Sequence, residues 1–207
     1  MKTKPLPTFF KVLIGFLLGW SLLVLLPYFQ FGRPTLHEDT ESGDLLPRAL
    51  SGLAIRGSHV YEQNRCATCH TQQVRNQFTS DNLKGFGKRR SVSRDFVYQP
   101  ASVAGINRLG PDLSNVALRQ KSEEWHHKHL FIPQSVSPGS IMPSYAFLYE
   151  KRKIVGQPST ESLKLPSNYS LEEGYEIVPT ADAKALVAYL LSLNQSYSLP
   201  EAPIKEE

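Results

Sequence analysis

The sequence predicts a mainly helical, loop-rich domain carried on one N-terminal transmembrane helix. Three features predict it: an uncharged apolar run from Val12, an amphipathic helix between Ala181 and Leu193, and an intervening stretch rich in Gly, Pro, Ser and Asn with few periodic runs. With 207 residues the chain can enclose one domain with a real core, and 41% apolar against 20% charged residues excludes disorder throughout. The net charge of +4 and pI near 9.0 raise nucleic acid as a partner, yet Lys2, Lys4 and Lys11 all precede the first acid, Glu38. Setting those lysines aside leaves 20 basic against 19 acidic residues, so the body of the chain is near neutral and has no nucleic-acid signature.

Residues 1–11 form a basic tip. From Val12 to Leu26 the run VLIGFLLGWSLLVLL carries no charge, and Pro27, Tyr28 and Phe29 extend it to about 18 residues, roughly 27 Å of helix against a hydrocarbon thickness of about 30 Å. A cleaved signal peptide would end in small residues in an A-x-A pattern. Here LPYFQFGRP follows, with aromatic residues where a membrane interface favours them. Residues 12–29 are therefore expected as an uncleaved single-pass anchor with the basic tip in the cytoplasm. Everything after Gly32 then lies on the outer face, which for a bacterial inner membrane is the periplasm. Residues 30–50 are polar, contain Pro34, His37 and an acidic run, and read as a connector.

The domain itself is expected over 51–195, followed by a tail over 196–207. Ser51 to Asn64 reads as a helix that ends at a cysteine motif, and Glu123 to Phe131 as a short helix stopped before Pro133. In the last helix Ala183, Leu186, Val187, Leu190 and Leu191 make one apolar stripe, Thr180 is a good N-cap and Asp182 suits the N-terminal dipole. Helices near the ends and loops between them give little regular structure. A large buried group at the centre makes physical sense of such a domain.

Only two cysteines occur, in Cys66-Ala67-Thr68-Cys69-His70, the C-x-x-C-H pattern of covalent haem c attachment. Two thiols one helical turn apart can each add across a vinyl group of one porphyrin, while the adjacent imidazole reaches the iron. A thioredoxin-like dithiol needs a βαβ context, a structural zinc site needs four ligands, and a disulfide between residues three apart is strained and leaves His70 without a role. The second axial ligand has to be Met or another His. Apart from Met1 there is one methionine, Met142, in the loop SPGSIMPSY, and it is the first candidate; His59, His126, His127 and His129 are the alternatives. His/Met ligation raises the potential and leaves no open iron site, so such a haem carries single electrons. The run Trp125-His126-His127-Lys128-His129 lacks a carboxylate at matching spacing and reads as solvated or interface histidines. Lys84, Lys88, Arg89, Arg90 and Arg94 read as a solvated cluster, with pairing to haem carboxylates or docking of an acidic partner as the sharper alternative.

Five stretches, VYEQNRCATCHTQQVR, RRSVSRDFVYQ, RLGPDL, EEWHHKHLFIPQSVSPGSIMPSYAFLYE and EIVPTADAKALVAYLLSL, together resemble subunit II of cbb3-type cytochrome c oxidases, the membrane-anchored mono-haem subunit. The resemblance runs from the anchor to about Asn194, and the ordered set C-x-x-C-H, GPDL, W-H-x-x-H-L and IMPSY is more specific than any one member. It implies a class I-like cytochrome c domain in which Cys66 and Cys69 hold the haem and His70 and Met142 ligate it. It further implies that Pro111 or its neighbour fixes the His70 N–H through a carbonyl, and that Arg75 and Trp125 lie near the haem edge or its carboxylates. Departures occur at Asn64-Arg65, where a small or apolar residue with Gly nearby is expected, and at Val74–Gln77. Residues Lys151 to Ser170 carry no motif that assigns them a role.

The function implied by the resemblance is non-catalytic electron transfer toward a haem b/copper oxidase subunit that reduces oxygen, fed by another cytochrome c subunit or a soluble cytochrome c donor. A free-standing membrane-tethered cytochrome c shuttle, and the small haem c subunit of a nitric oxide reductase, share the same layout. The WHHKHL and SPGSIMPSY segments favour the oxidase, as does a connector too short for a shuttle.

Overall fold

Residues 5–40, 42–75, 81, 83–166, 169 and 171–204 are described by the computed structural model, which falls into two units, Met1–Leu36 and His37–Glu207. In the first, helix α1 (Pro5–Trp20) continues through a π-type stretch (Ser21–Leu25) into α2 (Leu26–Phe31). The widening has a chemical cause. Pro27 has no N–H to offer the Leu23 carbonyl and its ring crowds that turn, so the ladder slips and the Leu26 N–H bonds to the Ser21 carbonyl. Pro5–Gln30 is long and apolar enough to cross a membrane, with a mean hydropathy of 2.3, and its hydrophobic window is not buried by protein. The helix starts before the Val12 expected from the charge pattern. Leu6, Phe9 and Phe10 are apolar, and the single Lys11 is a good helix former that does not break the run. Lys2 and Lys4, the rest of the basic tip, lie outside the described residues.

The second unit is mainly helical and loop-rich. In chain order it contains strands β1 (His37–Glu38) and β2 (Leu45–Leu46), helices α3 (Gly52–Gln63), α4 (Val116–Arg119), α5 (Glu123–Phe131) and α6 (Pro133–Val136), strands β3 (Tyr149–Lys153) and β4 (Tyr175–Pro179), and helix α7 (Ala181–Ser192). Each of the three long helices starts on a hydroxyl cap: the side chains of Ser51, Ser122 and Thr180 accept the N–H of Ala54, Trp125 and Ala183 at 3.2, 3.1 and 3.2 Å. The apolar stripe of α7 supplies the centre of the core, with Leu186, Val187 and Tyr189 at most 1% exposed. Tyr61, Leu130, Phe131, Leu148 and Ile177 close around it, and each such side chain contributes about 1.5–3 kcal/mol on burial.

Helices α3 and α7 pack backbone against backbone at Gly57. A Cβ at that position would overlap the Ala185 backbone and lie 2.7 Å from the Tyr189 Cβ. The same crossing brings the Tyr61 and Tyr189 rings edge to face at 5.4 Å, and Arg56 pairs with Asp182 at 2.8 Å.

Strands β3 and β4 pair antiparallel, from Tyr149 opposite Pro179 to Lys153 opposite Tyr175. Sequence reasoning misses this hairpin because YEKRK buries only Tyr149, so no alternation marks it. The residues between the strands return to the sheet. Leu163 donates its N–H to the Ile177 carbonyl at 2.8 Å, Glu176 accepts from Arg152 Nε (2.8 Å) and the Ser159 N–H (2.7 Å), and Leu163, Leu165 and Leu171 rest on the core. Most of the stretch without a role is thus a strand and a covering loop; Ser167, Asn168 and Ser170 lie outside the described residues.

Both flanks of the expected domain are folded onto it. Leu46, in residues expected as connector, is 4% exposed and packs with Val92, Leu199 and Ala202. The expected tail is held by the basic cluster. Arg89 forks onto Asp95 at 2.9 and 2.7 Å and donates Nε to the Tyr197 carbonyl at 2.7 Å, Arg94 pairs with Glu201 at 2.7 Å, and Arg90 reaches the Glu201 carbonyl at 2.9 Å. Three of the five cluster residues therefore staple the chain internally, while Lys84 and Lys88 are exposed.

Gly57→Ala is expected to destabilise the domain by about 3 kcal/mol, at the upper end for overpacking because the clash is with backbone. Gly52→Ala, which meets open space at the start of α3, should leave the denaturation midpoint within about 0.5 kcal/mol of the parent.

Candidate cofactor cleft

The cysteine motif is presented by the end of α3. Asn64 donates Nδ2 to the Val60 carbonyl at 2.8 Å, and Arg65 then reverses the chain in the left-handed region (φ 54°, ψ 34°). Glycine suits that conformation and a side chain there costs about 1–2 kcal/mol, which explains why a small residue is expected next to Cys66. Cys66–Thr68 forms a single 3₁₀ turn closed by the Cys69 and His70 N–H groups on the Cys66 carbonyl at 3.1 and 3.0 Å. The two thiols are free, and burial pushes that of Cys66 up to about 12.

The segment Arg108–Leu113 runs beside the motif. Gly110 and Leu113 donate their N–H groups to the Cys69 and Thr71 carbonyls at 3.0 and 2.7 Å. Asp112, fully buried, ties the two together by accepting from the Thr71 hydroxyl (2.5 Å) and the N–H groups of Gln73 (2.8 Å) and Ser114 (2.9 Å). Arg108 braces the same corner through Thr71 Oγ1 (2.8 Å), the Gln73 carbonyl (2.6 Å) and Asp81 (2.6 and 2.9 Å). A buried carboxylate this well satisfied is a structural hub.

His70 is held from two sides. Its Nδ1 lies 2.8 Å from the Pro111 carbonyl, and because a carbonyl only accepts, Nδ1 carries the proton and Nε2 keeps its lone pair. Burial lowers the pKa of the ring, which favours the neutral form that can ligate a metal. Against the ring lies the backbone of Gly110, where a Cβ would sit 2.7 Å from Nδ1 and 2.9 Å from Nε2.

His70 lines two adjoining cavities of about 320 and 500 Å³, which share Cys66, Pro111, Trp125, His129, Ser137 and Met142 and so form one cleft. The inner lobe is walled by Tyr61, Leu113, Leu130, Leu186 and Leu190, with Arg119, Gln120 and His126 as polar members. The outer lobe adds Arg65, Cys69, Leu109, Ile141 and Tyr145. A large flat apolar group with polar substituents fits this donor set: two thiols, an imidazole with a free lone pair and a thioether face one mainly apolar space, and His129 Nδ1 is buried with no hydrogen-bond partner among the described residues.

Six of the seven residues expected from sequence, Cys66, Cys69, His70, Pro111, Trp125 and Met142, thus line the cleft. Arg75 does not. Its side chain is exposed and its backbone N–H donates to Asp81 at 2.7 Å. Among the alternative histidines, His59 and His127 stay outside the cleft; His127 Nδ1 lies 3.0 Å from the Tyr149 hydroxyl. His126 bonds through Nε2 to the Gln120 carbonyl at 2.9 Å, and His129 stacks on Trp125 at 4.7 Å. Sequence reasoning missed Arg108, Arg119 and Gly110. The first and third stand inside the quoted RLGPDL, so only their roles were hidden, whereas nothing marked Arg119.

Gly110→Ala is expected to push the imidazole off the Pro111 carbonyl and to destabilise the domain by about 2 kcal/mol or more. Chemical denaturation of the variant beside its parent measures this, and an unaltered midpoint would mean that the ring does not pack against the Gly110 backbone.

A scan against protein-family models places residues 21–176 in "Cytochrome C oxidase, mono-heme subunit/FixO", a match that takes in the cysteine motif, RLGPDL and the Met142 loop. No curated protein sequence is matched by the chain. The matched span covers most of the chain, and the family description implies one haem per subunit. The protein therefore belongs to the mono-haem subunit family of cytochrome c oxidases, the subunit II family of the cbb3 type.

Proposed function

We propose that the chain is the membrane-anchored electron-transfer subunit of a cbb3-type oxidase, with one haem c held covalently in the cleft of a class I-like cytochrome c domain. The observation that carries this reading is the meeting of both thiols, Met142 and a His70 oriented by Pro111 around one cavity. The Cys66 and Cys69 thiols would hold the group covalently through its two vinyl substituents, each thiol hydrogen going to the neighbouring carbon, so that attachment would need no oxidant. Bound haem supplies reversible one-electron chemistry at its iron. His70 Nε2 and Met142 Sδ would be the protein's two ligands to its iron, a donor pair suited to carrying single electrons. The Pro111 carbonyl fixes the imidazole tautomer and strengthens its donor character, and Tyr61, Leu130, Leu186 and Leu190 give the inner lobe an apolar wall.

The apolar helix anchors the subunit with its basic end in the cytoplasm and the haem domain in the periplasm. Only residues 32–36 separate α2 from β1, about 17 Å when fully extended. So short a tether favours a fixed position in a complex over a shuttle. The electron passes onward to a catalytic haem b/copper subunit and arrives from another cytochrome c subunit or a soluble cytochrome c.

Met142→Ala should retain covalent haem while the midpoint potential falls by well over the roughly 59 mV that marks a tenfold shift in a one-electron equilibrium; an unchanged potential excludes Met142 as ligand. Gentle detergent extraction of the tagged chain from its native membranes should bring b-type haem absorption and oxygen uptake with the c-type band. A c-type band alone would support the tethered shuttle, and nitric oxide reduction in place of oxygen uptake would support the reductase subunit.

A further inference from the structure

A separate cavity of about 350 Å³ shares no lining residue with the cleft. Its wall comes from the folded connector, with Asp39, Asp44 and Leu46, and from the C-terminal segment, with Leu193, Gln195 and Tyr197. The most deeply buried of its lining residues are Gln72 and Ser114, each 1% exposed. Gln72 Nε2 and Ser114 Oγ have no hydrogen-bond partner among the described residues. A buried amide or hydroxyl left unpaired is costly, and native proteins satisfy nearly all such groups with protein or with ordered water.

The chemistry of the wall selects the occupant. Gln72 Oε1 accepts from the Tyr189 hydroxyl at 3.0 Å, and the same amide acts on the Tyr61 hydroxyl. An amide nitrogen carries two N–H groups, so serving Tyr61 still leaves one to donate. Ser114 is fixed through its backbone, whose N–H donates to Asp112 at 2.9 Å, and its hydroxyl can turn toward whatever fills the cavity. The charges in the wall are matched within the protein. Asp44 pairs with Arg48 at 2.6 Å and Asp95 with Arg89 at 2.7 Å, and Asp39 accepts from the Ser42 hydroxyl at 2.9 Å. The groups left to satisfy are therefore neutral, an N–H donor and a hydroxyl that both donates and accepts. A small neutral molecule able to do both matches them, whereas an apolar occupant would strand both. Polar cavities of this size take up water, each molecule filling roughly 30 Å³ and needing two to four polar partners.

We propose that this cavity is a binding site for ordered water, with Ser114 Oγ and Gln72 Nε2 as its inner anchors. The site stands apart from the identity of the group in the cleft. It nevertheless bears on the cleft, because the Gln72 amide that holds the water also holds the Tyr189 hydroxyl, and the Tyr189 ring packs edge to face on Tyr61, a wall of the inner lobe. Bound solvent thus supports that wall from behind. The connector and the C-terminal segment, as the remaining sides of the cavity, gain a role besides covering the core.

The experiment is a density map, fine enough to show single waters, of the full chain in the assembly purified from its native membranes, for the parent and for Ser114→Ala. The expected parent map has isolated single-oxygen peaks in the cavity within about 3.2 Å of Ser114 Oγ and of Gln72 Nε2. In Ser114→Ala the peak on residue 114 is lost or displaced, while the peak on Gln72 stays. Three results overturn the proposal. The first is a parent map in which Ser114 Oγ and Gln72 Nε2 bond only to protein groups, such as the Tyr61 hydroxyl. The second is continuous density larger than water, a lipid headgroup or a detergent, in contact with both anchors. The third is a Ser114→Ala map whose peaks keep their places, which would remove Ser114 as an anchor. If Ser114→Ala does not accumulate, the parent map decides alone.

Discussion

The hydrogen bond from His70 Nδ1 to the Pro111 carbonyl is the interaction around which the rest of the domain is arranged. It fixes one tautomer, turns the other ring nitrogen into the free donor, and is possible only because residue 110 has no side chain. The backbone of Arg108–Leu113 must therefore run within reach of Cys69 and Thr71. Asp112 and Arg108 keep it there through a shared polar network on Thr71, Gln73 and Asp81. A buried carboxylate and a half-buried guanidinium are costly unless fully satisfied, and here the cost is offset by fixing the position of one imidazole.

Around that network the helices act as walls. The contact of α3 and α7 at Gly57 brings Tyr61 and the end of α3 against the Leu186–Leu190 face, so one crossing both closes the apolar core and aims Cys66 at the cleft. Helices α4 to α6 bring Arg119, Trp125, His129 and the Met142 loop to the other side. The chain thus spends its regular structure on the perimeter of a cavity. The continuity between cleft and core, in which Tyr61, Leu130, Leu186 and Leu190 belong to both, follows from a sequence with too few apolar helices to fill its own centre.

Much of this was legible in the sequence where the signal is local. The Thr180 cap and the 3.6-residue stripe located α7, the cysteine motif and Pro133 marked the ends of α3 and α5, all to within a residue, and the spacing of Cys66, Cys69 and His70 points to its own chemistry. What depended on distant pairing was not legible. The β3–β4 hairpin hid behind a polar strand, the fastening of the C-terminal segment looked like a solvated basic run, and Arg75, which the resemblance alone put near the site, is exposed and does not line the cleft. Pro27 shows the converse: a proline inside an apolar run was read as extending the helix, and it does so, at the local cost of a π-type turn. The residues that tune a site are set by tertiary contacts that no window of sequence contains.

The central claim is that the cleft is completed by one haem bound through both thiols. Intact-mass measurement of the chain, purified from its native membranes under denaturing conditions and treated with a thiol alkylating reagent, tests it most directly. The account predicts a single species heavier than the 23.3 kDa chain by one haem, with neither Cys66 nor Cys69 alkylated. A species at the mass of the chain plus two alkyl groups would contradict it.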